Sequence, residues 1–459
     1  MDAGDFAALD EQAFTAFHWR TTLTTGLGVF CDGYDLSSVG IVLPLILASF
    51  GGIKLSGIAS ASLAASALLG STVGALLFGA LAQGGRKKFY GFDVLILGLM
   101  AIAQAFATDV TSLIVIRFLL GIGVGADYVL SPTIMAEHAN RRDRGKKLVF
   151  GFGVFWCLGA FVAAVVLLIV KAVGMPPAAQ WRIVLAFGVI PALSVLYLRR
   201  RMPETARYLA RLAGDGKAAG EVIRGITGRV LETAPLRDRR AWQEVLSNHL
   251  RDVLGAALLW LVYDIVVYSS ILFGPSVIAK GIGVTPVVFQ LVSFGVFVIP
   301  GTLLGVAVID NMGRKPLAAL GFALAGGALL LFALLQHAAA GIPLLGLALF
   351  GLYNFTISFG PGAVSGSGLL GVELSPTRVR SIAQSVTVVG GRIGASTAAF
   401  LFPALLGVTG VIGLLYILAA LSLLGAILAM VVVPEPKGRS LEEINSDGDA
   451  AIAAPAAAQ

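Results

Sequence analysis

The sequence predicts an all-α integral membrane protein with twelve transmembrane helices in two pseudo-symmetric six-helix halves. Three observations lead there. The composition is too apolar for a water-soluble surface, twelve apolar runs are separated by loops of alternating basic charge, and cytoplasmic signatures of the first half recur in the second. Of 459 residues, 57% are hydrophobic and only 13% are charged, the profile of a polytopic membrane chain. The formal charge of +7 then bears on topology before it bears on nucleic acid, for which nothing else speaks.

A bilayer core takes about 20 apolar residues per helix. Such runs lie at 21–48, 58–82, 89–107, 111–136, 147–173, 181–198, 252–279, 287–309, 317–336, 343–370, 382–408 and 411–433. Loops after even-numbered spans carry GGRKK, RRDRGKK, LRRRMPETAR, MGRK and PTRVR, whereas the others offer isolated charges such as Lys54, Asp109 and Lys280. By the positive-inside rule both termini are expected in the cytoplasm of a multi-pass protein in the cell membrane. The expected organisation is a tail at 1–20, a six-helix bundle at 21–198, a cytoplasmic linker of short helices at 199–251, a second bundle at 252–433 and a tail at 434–459. The first twenty residues hold four acids and do not read as a cleaved signal peptide. Cys31 and Cys157 both sit in apolar runs, which argues against a disulfide framework or a metal cluster.

The halves repeat. GRKK from Gly85 recurs as GRK from Gly313, Glu137 and Arg144 recur seven apart as Glu373 and Arg380, and PET from Pro203 recurs as PEP from Pro434. A near-constant offset points to duplication, and two such halves are typical of transporters that rock around a central site.

Ionisable residues inside the spans are the candidate site. Counting 1.5 Å per residue from the cytoplasmic edge, Asp32 lies roughly 17 Å deep, Asp264 roughly 18 Å, Asp127 roughly 15 Å, Arg392 roughly 17 Å and Asp35 roughly 21 Å. They are expected to converge near the midplane around one cavity, because an isolated Asp there costs at least about 2.5–3.5 kcal/mol. Asp32 and Asp35 share a helical face, as do Trp260, Asp264 and Tyr268. Arg117 reads as a structural pair or a snorkelling residue, and Trp156 and Tyr263 as packing. At the cytoplasmic rim, Glu137, Arg144, Asp310, Arg314, Glu373, Arg378 and Arg380 are expected to form gating salt bridges. Before the first GRKK turn Gln83 stands nearest where an acid would be expected, so the first-half latch should be the weaker.

RFLLGIGVGADY at Arg117–Tyr128, the Glu137–Arg144–Gly145 spacing, PETARYL and PEPKGRSLEE resemble the sugar-porter-like branches of the major facilitator superfamily. CDGYD in span 1, the Asp127–Tyr128 pair, the Trp260–Asp264–Tyr268 triplet, SFGP at Ser358–Pro361, SPTRVRS and GGRIGA around Arg392 are similar to the phosphate:proton symporter family. That resemblance implies substrate binding by Tyr128, Trp260, Asp264 and Tyr268, and proton coupling by Asp32 and Asp127, with Asp35 a further candidate. Arg392 stands where the family usually has lysine. The resemblance also leaves two gaps: no span-5 glutamine is evident, Phe155 or Trp156 lying in that region, and Gly362 stands where an asparagine is usual.

The expected function is proton-driven import of a small anion, phosphate first, by alternating access in a monomer. Another solute, such as an organic acid or a sugar, stays open, with Asn354 and Gln290 as possible amide ligands. So does a non-transporting sensor. No nucleotide-binding loop, metal-ligand cluster or nucleophilic triad suggests catalysis, and no cofactor is expected.

Overall fold

The computed structural model describes residues 6–51, 57–229 and 237–445. Lys54, part of the linker and the ends of both tails lie outside the described residues. The described chain is helical, and its spans fall where the apolar runs do: Ala16–Ser49, Ile58–Gly84, Arg86–Ala105, Val110–His138, Arg144–Ala172 and Pro177–Arg200 in the first half, then Trp242–Gly281, Pro286–Met312, Arg314–Leu334 and Pro343–Glu373. The last continuous element, Arg380–Val432, has 53 residues and turns at Gly410 (φ 66°, ψ −176°). It therefore supplies spans 11 and 12, and the described residues hold twelve spans.

Polar residues set the span starts. Asp109 accepts the Ser112 amide at 2.9 Å while Ser112 Oγ accepts the Asp109 amide at 3.2 Å, a reciprocal cap that begins span 4. Thr285 accepts the Val288 amide ahead of Pro286 and opens span 8. Span 7 begins at Trp242, ten residues inside the stretch that sequence assigns to the linker. WQEVLSNHLR has no helix breaker, so the helix extends beyond the apolar run at its N-terminal end. The linker holds the expected short helix, Gly216–Thr227.

Spans 2 and 4 pack backbone to backbone. A Cβ at Gly70 would lie 1.9 Å from the Phe118 carbonyl oxygen, and one at Gly125 would lie 2.0 Å from that of Ser71. The GIGVG run is thus a packing face of small residues. Spans 5, 8 and 10 widen into π-helical turns at Val149–Val154, Ser293–Val298 and Ser358–Gly366. All three border the central cavity, where such turns re-aim side chains and free backbone groups.

A central cavity and a second charge centre

A cavity lies between the halves and is lined from spans 4, 5, 7, 8, 10 and 11. Arg392 is its cation. The guanidinium lies over the Tyr128 ring, 4.0 Å from the centroid, and Nη1 donates to Tyr268 Oη at 2.7 Å. Asp264 Oδ2 is 3.6 Å from Nη1, and Trp260 stands 6.2 Å from Tyr128, ring to ring. All five side chains are buried. Stacking fixes the guanidinium plane, and Nε has no partner. A donor edge of Arg392 is therefore free for an oxyanion, and a planar fork suits one well.

The two expected gaps have structural answers. Phe155 turns toward span 1, where a Cβ at Gly26 would meet its ring at 2.7 Å; Trp156 faces the cavity, its Nε1 unpartnered. At Gly362 the space is taken by Tyr263, whose hydroxyl would lie 3.2 Å from a Cβ. Gln290 and Asn354 both line the cavity, so amide side chains reach it from spans 8 and 10.

The expectation that all the buried acids share one cavity is corrected. Asp32, Asp35 and Asp127 do not line it. Asp127 and Tyr128 are neighbours about 100° apart on the helix, so Tyr128 points into the cavity while Asp127 points into the first half. There it accepts from Arg199 Nη2 at 2.7 and 2.9 Å and from Ser131. Arg199 Nη1 binds Asp93, which also accepts the Gly91 and Val94 amides at 2.8 Å, and the Tyr90 ring lies 4.2 Å from Arg199 Cζ. Gly28 makes room: a Cβ there would sit 1.5 Å from Arg199 Nη2. One turn further on is Asp32, fully buried, with neither carboxylate oxygen hydrogen-bonded among the described residues.

Sequence reasoning missed Arg199 and Asp93. Asp35 lies apart: its Oδ1 would be 2.7 Å from a Cβ on Gly188, where span 6 bends. Arg117 donates to Gln104 Oε1 at 2.8 Å and lies 3.5 Å from the Asp35 carbonyl.

The rim residues form a crossed lattice. Glu137 accepts from Arg86 of its own half at 3.3 Å and from Arg380 of the other half at 3.1 Å. Glu373 accepts from Arg314 of its own half at 2.7 Å and from Arg144 of the other at 2.7 Å. Asp310 holds Arg314 at 2.9 Å and accepts the Gly145 and Lys146 amides at 3.1 and 2.9 Å. The equivalent place in the first half has Gln83, which donates to Ser381 Oγ at 2.8 Å, so the first-half contacts are longer and one is neutral. Arg378 stands outside this lattice; it is half-buried, and its Nε donates to the Arg240 carbonyl at 3.2 Å. Below the lattice Arg207 ties both tails to the linker, bonding Asp10 at 2.9 Å and Glu442 at 2.7 Å. Burial alone would raise the Glu442 carboxyl, but the Arg207 guanidinium holds it down at about 2.

Two pseudo-equivalent helical halves, a cavity between them and ion pairs that cross the seam on one side define a membrane transporter rather than an enzyme. The chain matches the family model described as sugar (and other) transporter over residues 21–447, and it belongs to that family of the major facilitator superfamily. It is 30% identical to the probable inorganic phosphate transporter 1-6 of Arabidopsis thaliana, with 96% of each chain covered. It is 32% identical to inorganic phosphate transporter 1-6 of Oryza sativa subsp. japonica, covering 98% of this chain and 96% of that one. The structure of the proton:xylose symporter XylE bound to 6-bromo-6-deoxy-D-glucose shares the fold, with a TM-score of 0.79 at 22% identity over 94% of this chain and 99% of that one.

Proposed function

We propose that the protein is a proton-coupled symporter that imports inorganic phosphate across the cell membrane by alternating access. In this reading it works as a monomer with both termini in the cytoplasm. The observation that carries the substrate is Arg392, stacked on Tyr128, bonded to Tyr268 and facing Asp264 in a buried cavity. The phosphate would take the free guanidinium edge and the hydroxyls of Tyr128 and Tyr268, with Trp260 closing the site. Full-length relatives that are inorganic phosphate transporters support this choice of anion.

The second centre supplies the coupling. Asp93 and Asp127 share the guanidinium of Arg199, while Asp32, one turn from Gly28 on span 1, makes no hydrogen bond among the described residues and so offers the place for a proton. Asp35, further along the same helical face, is the entry step. When the halves rock, the crossed lattice of Glu137, Arg380, Glu373 and Arg144 opens and releases substrate to the cytoplasm. A basic rim and the completeness of the cavity within one chain support the orientation and the monomer.

Uptake of radiolabelled phosphate into proteoliposomes with an acidic exterior tests this reading, with sugars and organic acids as competitors. Proton-dependent uptake blocked by phosphate and arsenate alone among small inorganic and carboxylate anions is expected. Folded protein that takes up no phosphate would refute it. In the same assay Asp32→Asn is expected to retain phosphate exchange but lose uphill uptake, a drop of roughly tenfold or more in accumulation; an unchanged pH dependence would make Asp32 structural.

A further inference from the structure

The cavity lining continues past Arg392 to side chains of spans 5, 8 and 10 that the proposed phosphate does not use, Trp156, Gln290, Phe294 and Asn354 among them. The remaining space has a chemistry of its own. Trp156 of span 5 and Phe294 of span 8 face each other with ring centroids 6.2 Å apart and tilted by 36°. Two buried donors there have no acceptor among the described residues, Trp156 Nε1 and Gln290 Nε2, and Gln290 is only 1% exposed. Asn354 Oδ1 is engaged by Ser270 Oγ at 3.4 Å, which leaves its amide N–H groups for the cavity. Gln290 sits about one turn after the start of span 8 at Pro286, whereas Arg392 lies twelve residues into the element that begins at Arg380.

Flat apolar rings flanked by unsatisfied N–H donors match a short carbon chain carrying hydroxyl oxygens. The C–H bonds pack on the rings while the oxygens accept the N–H groups, and a buried donor left without an acceptor is costly. A neutral polyol would leave Arg392 without an anion, whereas a phosphate monoester keeps the terminal oxygens that Arg392 binds. We infer that the cavity also takes phosphate monoesters of short polyols, the phosphoryl group on Arg392 and the polyol between Trp156 and Gln290. This rests on the phosphate reading and extends it to a second substrate class.

Glycerol 3-phosphate is the probe, tested on the full chain in proteoliposomes beside inorganic phosphate. Glycerol 3-phosphate is expected to inhibit phosphate uptake competitively and to accumulate with the same proton dependence, while glycerol does neither. Gln290→Ala and Trp156→Phe are each expected to raise the KM for glycerol 3-phosphate relative to that for phosphate by about tenfold, the loss that follows when a hydrogen-bonding site loses its partner. Phosphate transport without inhibition or accumulation of the ester would overturn the inference and leave the phosphate reading standing. Equal KM shifts for both substrates would overturn the placement of the polyol. Absence of phosphate uptake would overturn the reading on which both rest.

Discussion

Asp264→Asn is expected to abolish phosphate accumulation while leaving the protein folded. The substitution is isosteric, so the packing of span 7 against span 11 stays. What changes is charge: Arg392 keeps its bond to Tyr268 at 2.7 Å and its stack on Tyr128 but loses its acidic neighbour at 3.6 Å. The proposed cycle needs a carboxylate there, because release requires something to compete with phosphate for Arg392. Without it the anion is held too firmly and the cavity turns over slowly, so uptake should fall roughly a hundredfold or more, as when one electrostatic partner is removed from a buried site. Uptake of labelled phosphate together with a thermal melt in detergent checks both halves of the statement. Full accumulation in the variant would remove Asp264 from the mechanism.

Arg199→Met has the largest expected effect on stability. It leaves Asp93 and Asp127 as buried carboxylates with no cation, and removing one partner of such a cluster costs about 3–5 kcal/mol. Little monodisperse protein should be recovered, as judged by size-exclusion chromatography and melting temperature. Adding Asp93→Asn and Asp127→Asn to Arg199→Met removes the stranded charges, so folded protein should return while proton-driven accumulation does not. A single Arg199→Met variant as stable as the parent would show that the cluster is not held together by charge.

That cluster also marks where the sequence becomes hard to read. The spans were legible because a bilayer demands apolar runs of fixed length and basic loops on one side; even the break between spans 11 and 12 was expected at 409–410, and Gly410 is the residue that turns. That Asp32, Asp127, Asp264 and Arg392 lie inside apolar spans was legible by the same reading. Direction around the helix was not, and direction separates Asp127 from Tyr128. Arg199 is one of three consecutive arginines, and composition could not tell the buried first from Arg200 and Arg201, which are exposed. A usable signal was present for Asp93, an acid in the first turn of an apolar run, marked by the same reasoning that marked Asp32. The Trp156 and Tyr263 rings looked like packing, yet both border the cavity.

Gly410 has a mechanical consequence. Spans 11 and 12 meet there with helix on either side and no loop between them, so the joint is a pivot without slack. Span 11, which bears Arg392, cannot slide along its own axis unless span 12 travels with it. Span 12 turns Leu423, Ile427, Met430 and Val431 outward, toward lipid. Any displacement of Arg392 toward or away from the membrane surface therefore drags a lipid-facing rod through the acyl chains, against the cost of mismatched hydrophobic length. Tilting about Gly410 meets no such resistance. The joint thus favours swinging Arg392 sideways at constant height, and the anion would stay near the midplane while the walls change around it.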